Sequence, residues 1–299
     1  MPRRCSDARF LLLLVLTLLV GGCSTRLLYG NAERLVVWQA QDYVRLDRDQ
    51  RDWLRSRLRM HLAWHRDAQL PEWAAELRDL EAAVRDDALG PARLEAFYAR
   101  GMGWSRELLR EVAPTGATLL ASLPASALAE LPEAFAESNA ELNEDYEGLS
   151  PEDQRAVWRE KAREGLEDWI GSLDARQELL LDATAARVEP DNRWWIAYRE
   201  RWQAELLAAL ERREDRSWFG AAFHTLALHR PAFYTPEYRA VRARNDAAYR
   251  DFLVALVASL DDAQRDRLGD RLGALAEDFE VLSDRPEGGA EDPGPFPSG

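Results

Sequence analysis

Two histidines, His61 and His65, stand four apart in Met60-His61-Leu62-Ala63-Trp64-His65-Arg66, a spacing that puts both imidazoles on one side of a helix, a single turn apart. Such a pair can hold a metal ion if one or two further ligands arrive from elsewhere, and His224, His229 and many carboxylates could serve. The zinc-protease pattern needs Glu directly after the first His as general base. Leu62 occupies that position, so this chemistry is excluded. The competing and expected reading is a pair of imidazoles hydrogen-bonded within a helix interface, with no metal and no cofactor.

Arginine and aromatic residues cluster around the pair. Arg57 falls between Trp53 and His61 on the same helix face, and Trp64-His65-Arg66 leads into Leu70-Pro71, read as a corner between two helices. An Arg beside Trp and His can hold a carboxylate or stack on an indole; the plainer alternative is a corner whose side chains fix an interhelical angle. The chain holds 11 tryptophans. The stretch from Trp218 to Tyr238, with Phe219, Phe223, His229, Phe233 and Tyr234, is either core or a groove for hydrophobic polypeptide or lipid. The candidate binding residues are therefore Arg57, His61, Trp64, His65, Arg66, Trp218, His229 and Tyr234. No phosphate-binding loop or serine-nucleophile elbow is present, and no catalytic residue is assigned.

The elements that must position these groups are helices. Tyr249, Phe252, Leu253, Leu256, Val257 and Leu260 recur at the spacing of an apolar helical stripe, and Leu268, Leu272, Leu275 and Phe279 repeat it. Pro71, Pro91, Pro151 and Pro236 sit where a first helical turn tolerates proline, since that position has no amide bond to lose. About ten helices with short Pro- and Gly-marked turns and no sheet follow: an all-α multi-helix bundle.

The N-terminus specifies where the protein works. Arg3, Arg4 and Arg9 precede an apolar run from Phe10 to Val20, shorter than the about 20 residues a helix needs to span a bilayer. Gly21-Gly22-Cys23-Ser24 ends it with the pattern of a bacterial lipobox. The chain accordingly divides into a signal peptide (1–22), a lipidated tether (23–30), a helical domain (31–282) and a disordered acidic Pro/Gly-rich tail (283–299). Cys23 is the expected lipidation site, and several acyl chains there would give a stable membrane anchor. Ser24, where lipoproteins kept at the inner membrane commonly carry aspartate, favours the outer membrane and its periplasmic face. Cleavage lowers the formal net charge from −14 to −16. With no basic stripe, nucleic acid is excluded as a partner. Beyond Cys5 and Cys23 there is no cysteine, so the mature domain is held together by packing and not by disulfides.

Leu46-Asp47-x-x-Gln50, Leu173-Asp174-x-x-Gln177 and Leu260-Asp261-x-x-Gln264 share one spacing, and Leu149-Ser150-Pro151-Glu152-Asp153-Gln154 is a longer relative. Each reads as a capping box at the start of a helix. These elements resemble the Leu-Thr-x-x-Gln motif of periplasmic chaperones of the Spy and CpxP type, with Asp replacing Thr. Over most of the mature chain the sequence resembles the DUF6279 family of uncharacterised Gram-negative lipoproteins. That likeness is carried by the lipobox with Leu28-Tyr29-Gly30-Asn31, by Trp64-His65-Arg66 with Leu70-Pro71, by Leu119 to Leu123 with Glu137 and Asn139, by Trp169-Ile170-Gly171 with Leu173 and Gln177, and by Trp194 with Arg201 and Gln203. The resemblance implies location and helical fold and supplies no mechanism. The expected function is that of an outer-membrane-anchored, periplasm-facing protein that binds envelope proteins or unfolded polypeptide without chemistry. The alternatives are an anchored hydrolytic or metal-dependent enzyme using His61 and His65, and a purely structural envelope component.

Overall fold

The computed structural model describes residues 22–284 and Gly294. Residues 1–21, read as a signal peptide, the side chain of Cys23 and the remainder of the C-terminal tail lie outside the described residues. Within them the chain is all helical: α1 (Gly22–Gly30), α2 (Ala32–Gln41), α3 (Arg48–Trp64), a π-helical turn (His65–Gln69), α4 (Leu70–Arg85), α5 (Pro91–Ser122), α6 (Ala125–Glu144), α7 (Pro151–Ile170), α8 (Ala175–Arg187), α9 (Asn192–Leu210), α10 (Arg216–Leu228), a 3-10 turn (Arg230–Phe233), α11 (Pro236–Val257) and α12 (Asp262–Ser283). The stretch 24–30, expected as a tether, is helical and packed, because Thr25 and Tyr29 fall one turn apart and both are buried.

The capping boxes start the helices as their spacing predicts. Asp47, Asp174 and Asp261 each accept from the amide three residues on, and Gln50, Gln177 and Gln264 reach back to the cap amide. Ser150 caps α7 with Asp153 as its reciprocal partner, leaving Gln154 to donate to the Leu149 carbonyl. Two helical runs continue through a proline. α5 continues through Pro114 to Ser122, since Ala113, Ala117, Leu119 and Ala121 are buried and that packing outweighs the lost amide bond. The corner expected at Leu70-Pro71 is instead a wide turn within one continuous helical run. Pro71 has no amide hydrogen for the regular ladder, and Leu70 N donates five residues back to His65 O.

Four apolar clusters hold these helices together. The largest joins Val37 of α2, Trp53 and Leu54 of α3, Leu119 of α5, Leu131 and Phe135 of α6, Leu206 of α9 and Phe219 of α10. A second places Tyr29 of α1 with Leu70, Leu77 and Leu80 of α4 against Leu272, Leu275 and Phe279 of α12. The others join α7, α8 and α11, and α9 with α11. α12 lies along α4 at close range because Gly269 and Gly273 face it: a Cβ on Gly273 would stand 2.8 Å from the Glu81 carboxylate, and one on Gly269 2.9 Å from Arg85 Cζ.

The starts of α8 and α12 are bound to each other. Gln177 Nε2 donates to Gln264 Oε1 at 2.7 Å, and Gln264 Nε2 donates back to Gln177 Oε1 at 2.9 Å. Gln177 also donates to the Ser259 carbonyl and Gln264 to the Ser172 carbonyl, so the two Ser-Leu-Asp-x-x-Gln segments make the same bonds in exchange. Removing one amide orphans the other, and a buried unsatisfied polar group costs about 1–3 kcal/mol beyond the lost cap. Gln177→Ala should therefore lower the stability of the chain by roughly 2–4 kcal/mol in urea unfolding, whereas Gln154→Ala, at a partly exposed position, should change it by less than about 1 kcal/mol. Equal effects of the two substitutions would contradict the paired-amide account.

Candidate functional site

The π turn sets the geometry around the histidines. One extra residue in the turn shifts the face of the helix beyond it by about 100°; the two imidazoles just before it are one regular turn apart and take separate partners. His61 faces α5, with Nδ1 3.1 Å from Glu111 Oε1 and Nε2 2.7 Å from Thr115 Oγ1. Burial lowers its pKa; the hydrogen bond and charge of Glu111 oppose this, and the Arg57 charge adds to it. His65 faces α1: its Nδ1 lies 3.0 Å from the Tyr29 hydroxyl, and the two rings stack with centroids 5.8 Å apart. The Tyr29 hydroxyl also donates to the Leu62 carbonyl at 3.2 Å, and burial raises its pKa well above the usual phenol range. Both nitrogens of His61 are thus engaged, and the two rings do not converge on a common ligand. Among the described residues no group of three His, Cys, Asp or Glu side chains has metal-binding geometry.

An aromatic wall extends from His65. Trp73 meets it edge-on at 5.3 Å, and Trp104 and Phe279 lie 5.3 and 5.7 Å from Trp73. Gln69, buried in the π turn, donates to the Trp104 carbonyl at 3.1 Å. Its Oε1 and the Trp73 Nε1 are buried without a hydrogen-bond partner, an acceptor and a donor one helical turn apart. A water or the hydroxyl of a small ligand is the kind of group such atoms hold. Trp64 and Arg66 are partly exposed beside this wall.

Arg57 has a different partner. Its NH2 donates at 2.7 Å to the carbonyl of Gly294, in the segment expected to be a disordered tail, and Trp53 Nε1 donates to the same oxygen at 3.3 Å. The Arg57 guanidinium lies 5.5 Å from the centroid of the Trp53 ring. Gly294 takes a φ of 69°, a left-handed conformation suited to glycine between Pro293 and Pro295.

The aromatic stretch from Trp218 to Tyr238 is mostly packed inward. Phe219 and Tyr238 are buried, and Trp218 lies against the main core with the Arg212 guanidinium 3.9 Å from its ring centroid. Tyr234 stands edge-on to Tyr198 and Tyr238, each 4.8 Å away. His229 is exposed at the end of α10. Of the two readings of this stretch, the rings form core more than groove.

One buried polar cluster lies outside the candidate binding residues. Arg199 Nε donates to Asn139 Oδ1 at 2.8 Å, Asn139 Nδ2 donates to Gln203 Oε1 at 2.7 Å, and the guanidinium lies 5.0 Å from the Trp195 ring centroid. The signal for it was present: Asn139 follows Phe135 by one turn and Leu131 by two, a polar residue on an apolar stripe. A shallow depression lined by Val84, Asp87, Leu89, Val257, Leu260 and Arg265 has room for about 10 Å³, far below the roughly 300 Å³ of small-molecule clefts.

Residues 42–239, from the end of α2 into α11, match a family model described as a family of unknown function, DUF6279. No curated protein and no solved structure matches the chain.

Burial holds His65 neutral, lowering its pKa from 6.5 to about 4, with the Arg66 charge acting in the same direction. The unfolded chain protonates this imidazole near its ordinary value. The stability that neutral His65 permits is therefore complete above about pH 6.5 and is lost as the pH falls toward 4, by up to about 3 kcal/mol. In urea unfolding at pH 7.5 and 4.5, His65→Phe should lose less stability between the two pH values than the wild type, since His61 is common to both. An unchanged difference would show that His65 is protonated in the folded protein.

Proposed function

Because the chain belongs to the DUF6279 family, whose function is unknown, relatives supply no activity, and we propose that the protein is a lipid-anchored envelope protein that binds polypeptide through its helical surface. The observation that carries this reading is the Gly294 carbonyl, held jointly by Arg57 and the Trp53 indole. Two donors converging on one peptide oxygen, beside an aromatic face, recognise extended or turn-forming chain by its backbone and not by a particular side chain. Within the molecule they hold the Gly294 carbonyl; a client polypeptide offers the same group. Trp64 and Arg66, partly exposed further along the same helical run, extend the surface.

Location follows from the first 24 residues. The basic start, the apolar run and Gly21-Gly22-Cys23-Ser24 make Cys23 the acylated residue, and Ser24 directs the protein to the outer membrane with its body in the periplasm. The acidic charge of the chain disfavours nucleic acid and suits soluble client proteins. Binding of unfolded polypeptide gives the protein a chaperone-like role, in which capture close to the membrane surface raises the local concentration of binding sites.

The test is crosslinking in intact cells with the full lipidated chain, followed by recovery of bound envelope polypeptides. Arg57→Gln and the double variant Trp64→Ala, Arg66→Ala, each confirmed folded by circular dichroism, should reduce recovery by about tenfold, equivalent to roughly 1.4 kcal/mol of affinity. The same polypeptides at the same yield from both variants would remove the binding surface from α3 and the π turn. Stoichiometric metal in protein purified without a histidine tag would overturn the reading in favour of an enzyme using His61 and His65.

A further inference from the structure

Exposed apolar side chains are unevenly distributed over this molecule. Of the nine large hydrophobic residues exposed among those described, five fall between residues 27 and 38: Leu27, Leu28, Leu35, Val36 and Trp38, with Leu27 66% and Trp38 47% exposed. Of the other four, Tyr98 and Met102 lie one turn apart on α5, and Leu179 and Leu253 stand singly, as on any protein surface.

Helical geometry gives this patch a direction. On α1 the buried residues are Thr25 and Tyr29. At about 100° per residue, position 23 and Leu27 lie within roughly 40° of one another and about 160° away from that buried pair. The backbone position that carries the cysteine and the more exposed leucine of α1 thus share the stripe opposite the buried pair. On α2, Leu35, Val36 and Trp38 span an arc of about 160° whose centre is opposite the buried Val37. Both helices dock by one face and leave the other apolar.

The body holds this arrangement firmly. Arg26 Nε bonds Asp278 of α12 at 2.5 Å, and Tyr29 is bound to His65 and Leu62. Charge separates this surface from the rest of the chain. Within residues 24–41 of a protein whose formal net charge is −14, Arg26 is paired with Asp278 and Glu277, which leaves Arg34 and a single acid, Glu33. Glu33 is itself flanked by Arg55 Nε at 3.8 Å and Arg59 NH1 at 3.5 Å. An apolar patch with an interfacial tryptophan and a weakly basic margin matches the headgroup region of a phospholipid bilayer.

We infer that the outward face of α1 and α2 lies on the membrane surface, with Leu27, Leu35, Val36 and Trp38 seated in the headgroup region beside the anchor. The inference rests on the reading of Cys23 as an acylated residue. A lipid on one residue alone leaves a body free to pivot about it. A second apolar contact beginning one turn later fixes the orientation, and because α1 is bolted to α12 and the π turn, the whole helical domain takes that orientation with it. The surface bearing Arg57, Trp64 and Arg66 is then presented at a constant attitude to the membrane.

The full lipidated protein, reconstituted in vesicles of phosphatidylethanolamine and phosphatidylglycerol, allows a direct test. Brominated phospholipid should quench part of the wild-type tryptophan emission, and Trp38→Phe should lose the quenched component that one of the 11 tryptophans supplies. The triple variant Leu27→Asn, Leu35→Asn, Val36→Asn should still float with the vesicles through its acyl chains, while quenching falls to the Trp38→Phe level. Acylated protein whose quenching is the same in the wild type and Trp38→Phe would overturn the docked face and leave the anchor standing. Mass spectrometry that finds Cys23 unmodified would overturn the anchor, and the docked face with it. Dimerisation of the unlipidated Cys23→Ala chain that is abolished by Leu35→Asn would also overturn the inference, assigning the patch to a second copy.

Discussion

Two amides, Gln177 and Gln264, bear a disproportionate share of this architecture. Each completes the capping box of its own helix and, with its remaining hydrogen-bonding capacity, donates to the side-chain oxygen of the other. A buried primary amide costs several kcal/mol when unsatisfied and little when every donor and acceptor is met, so the pair tolerates one arrangement of α8 against α12 and penalises the others. The consequences pass along α12. Its Gly269 and Gly273 fall where α4 must come close, its Leu272, Leu275 and Phe279 enter the core beneath Tyr29, and its Asp278 receives Arg26. The N-terminal helix is thereby positioned by an interaction whose members lie some 150 to 240 residues further along the chain.

The polar interior follows the same economy. His61 is hydrogen-bonded at both nitrogens, His65 is kept neutral by burial, and Arg199 is met by Asn139 while lying near the Trp195 ring. Groups that look reactive on paper are committed to fixing helices against one another, because an imidazole or guanidinium removed from water must be paired or uncharged to be tolerated. The side chains with capacity to engage a chain or a surface lie elsewhere: Arg57, which holds Gly294 together with the indole N–H of the buried Trp53, Trp64 and Arg66 beside the π turn, and the apolar face of α1 and α2. These three surfaces all belong to the first 70 residues, a stretch that continues directly from Gly21-Gly22-Cys23-Ser24.

The all-helical class, the helix starts and the capping boxes were legible from the residues alone, since each depends on atoms three or four positions apart: Asp47 with Gln50, Asp174 with Gln177, Ser150 with Asp153, a proline in a first turn. For the same reason the membership in DUF6279 could be read before any coordinates, from short local patterns spread along the chain. Tertiary structure alone decided what those local units do to each other. Nothing in the spacing of Leu-Asp-x-x-Gln says that the copies at 173–177 and 260–264 pair while the copy at 46–50 does not join them. Nothing in Leu70-Pro71 separates a corner from a π turn, because the outcome depends on whether α12 and α5 offer cores that keep α3 and α4 in one run. The histidine spacing placed both rings on one helix and could not say that one would turn to Glu111 and the other to Tyr29, since those partners come from helices distant in sequence and the energy of each contact exists only once they have packed.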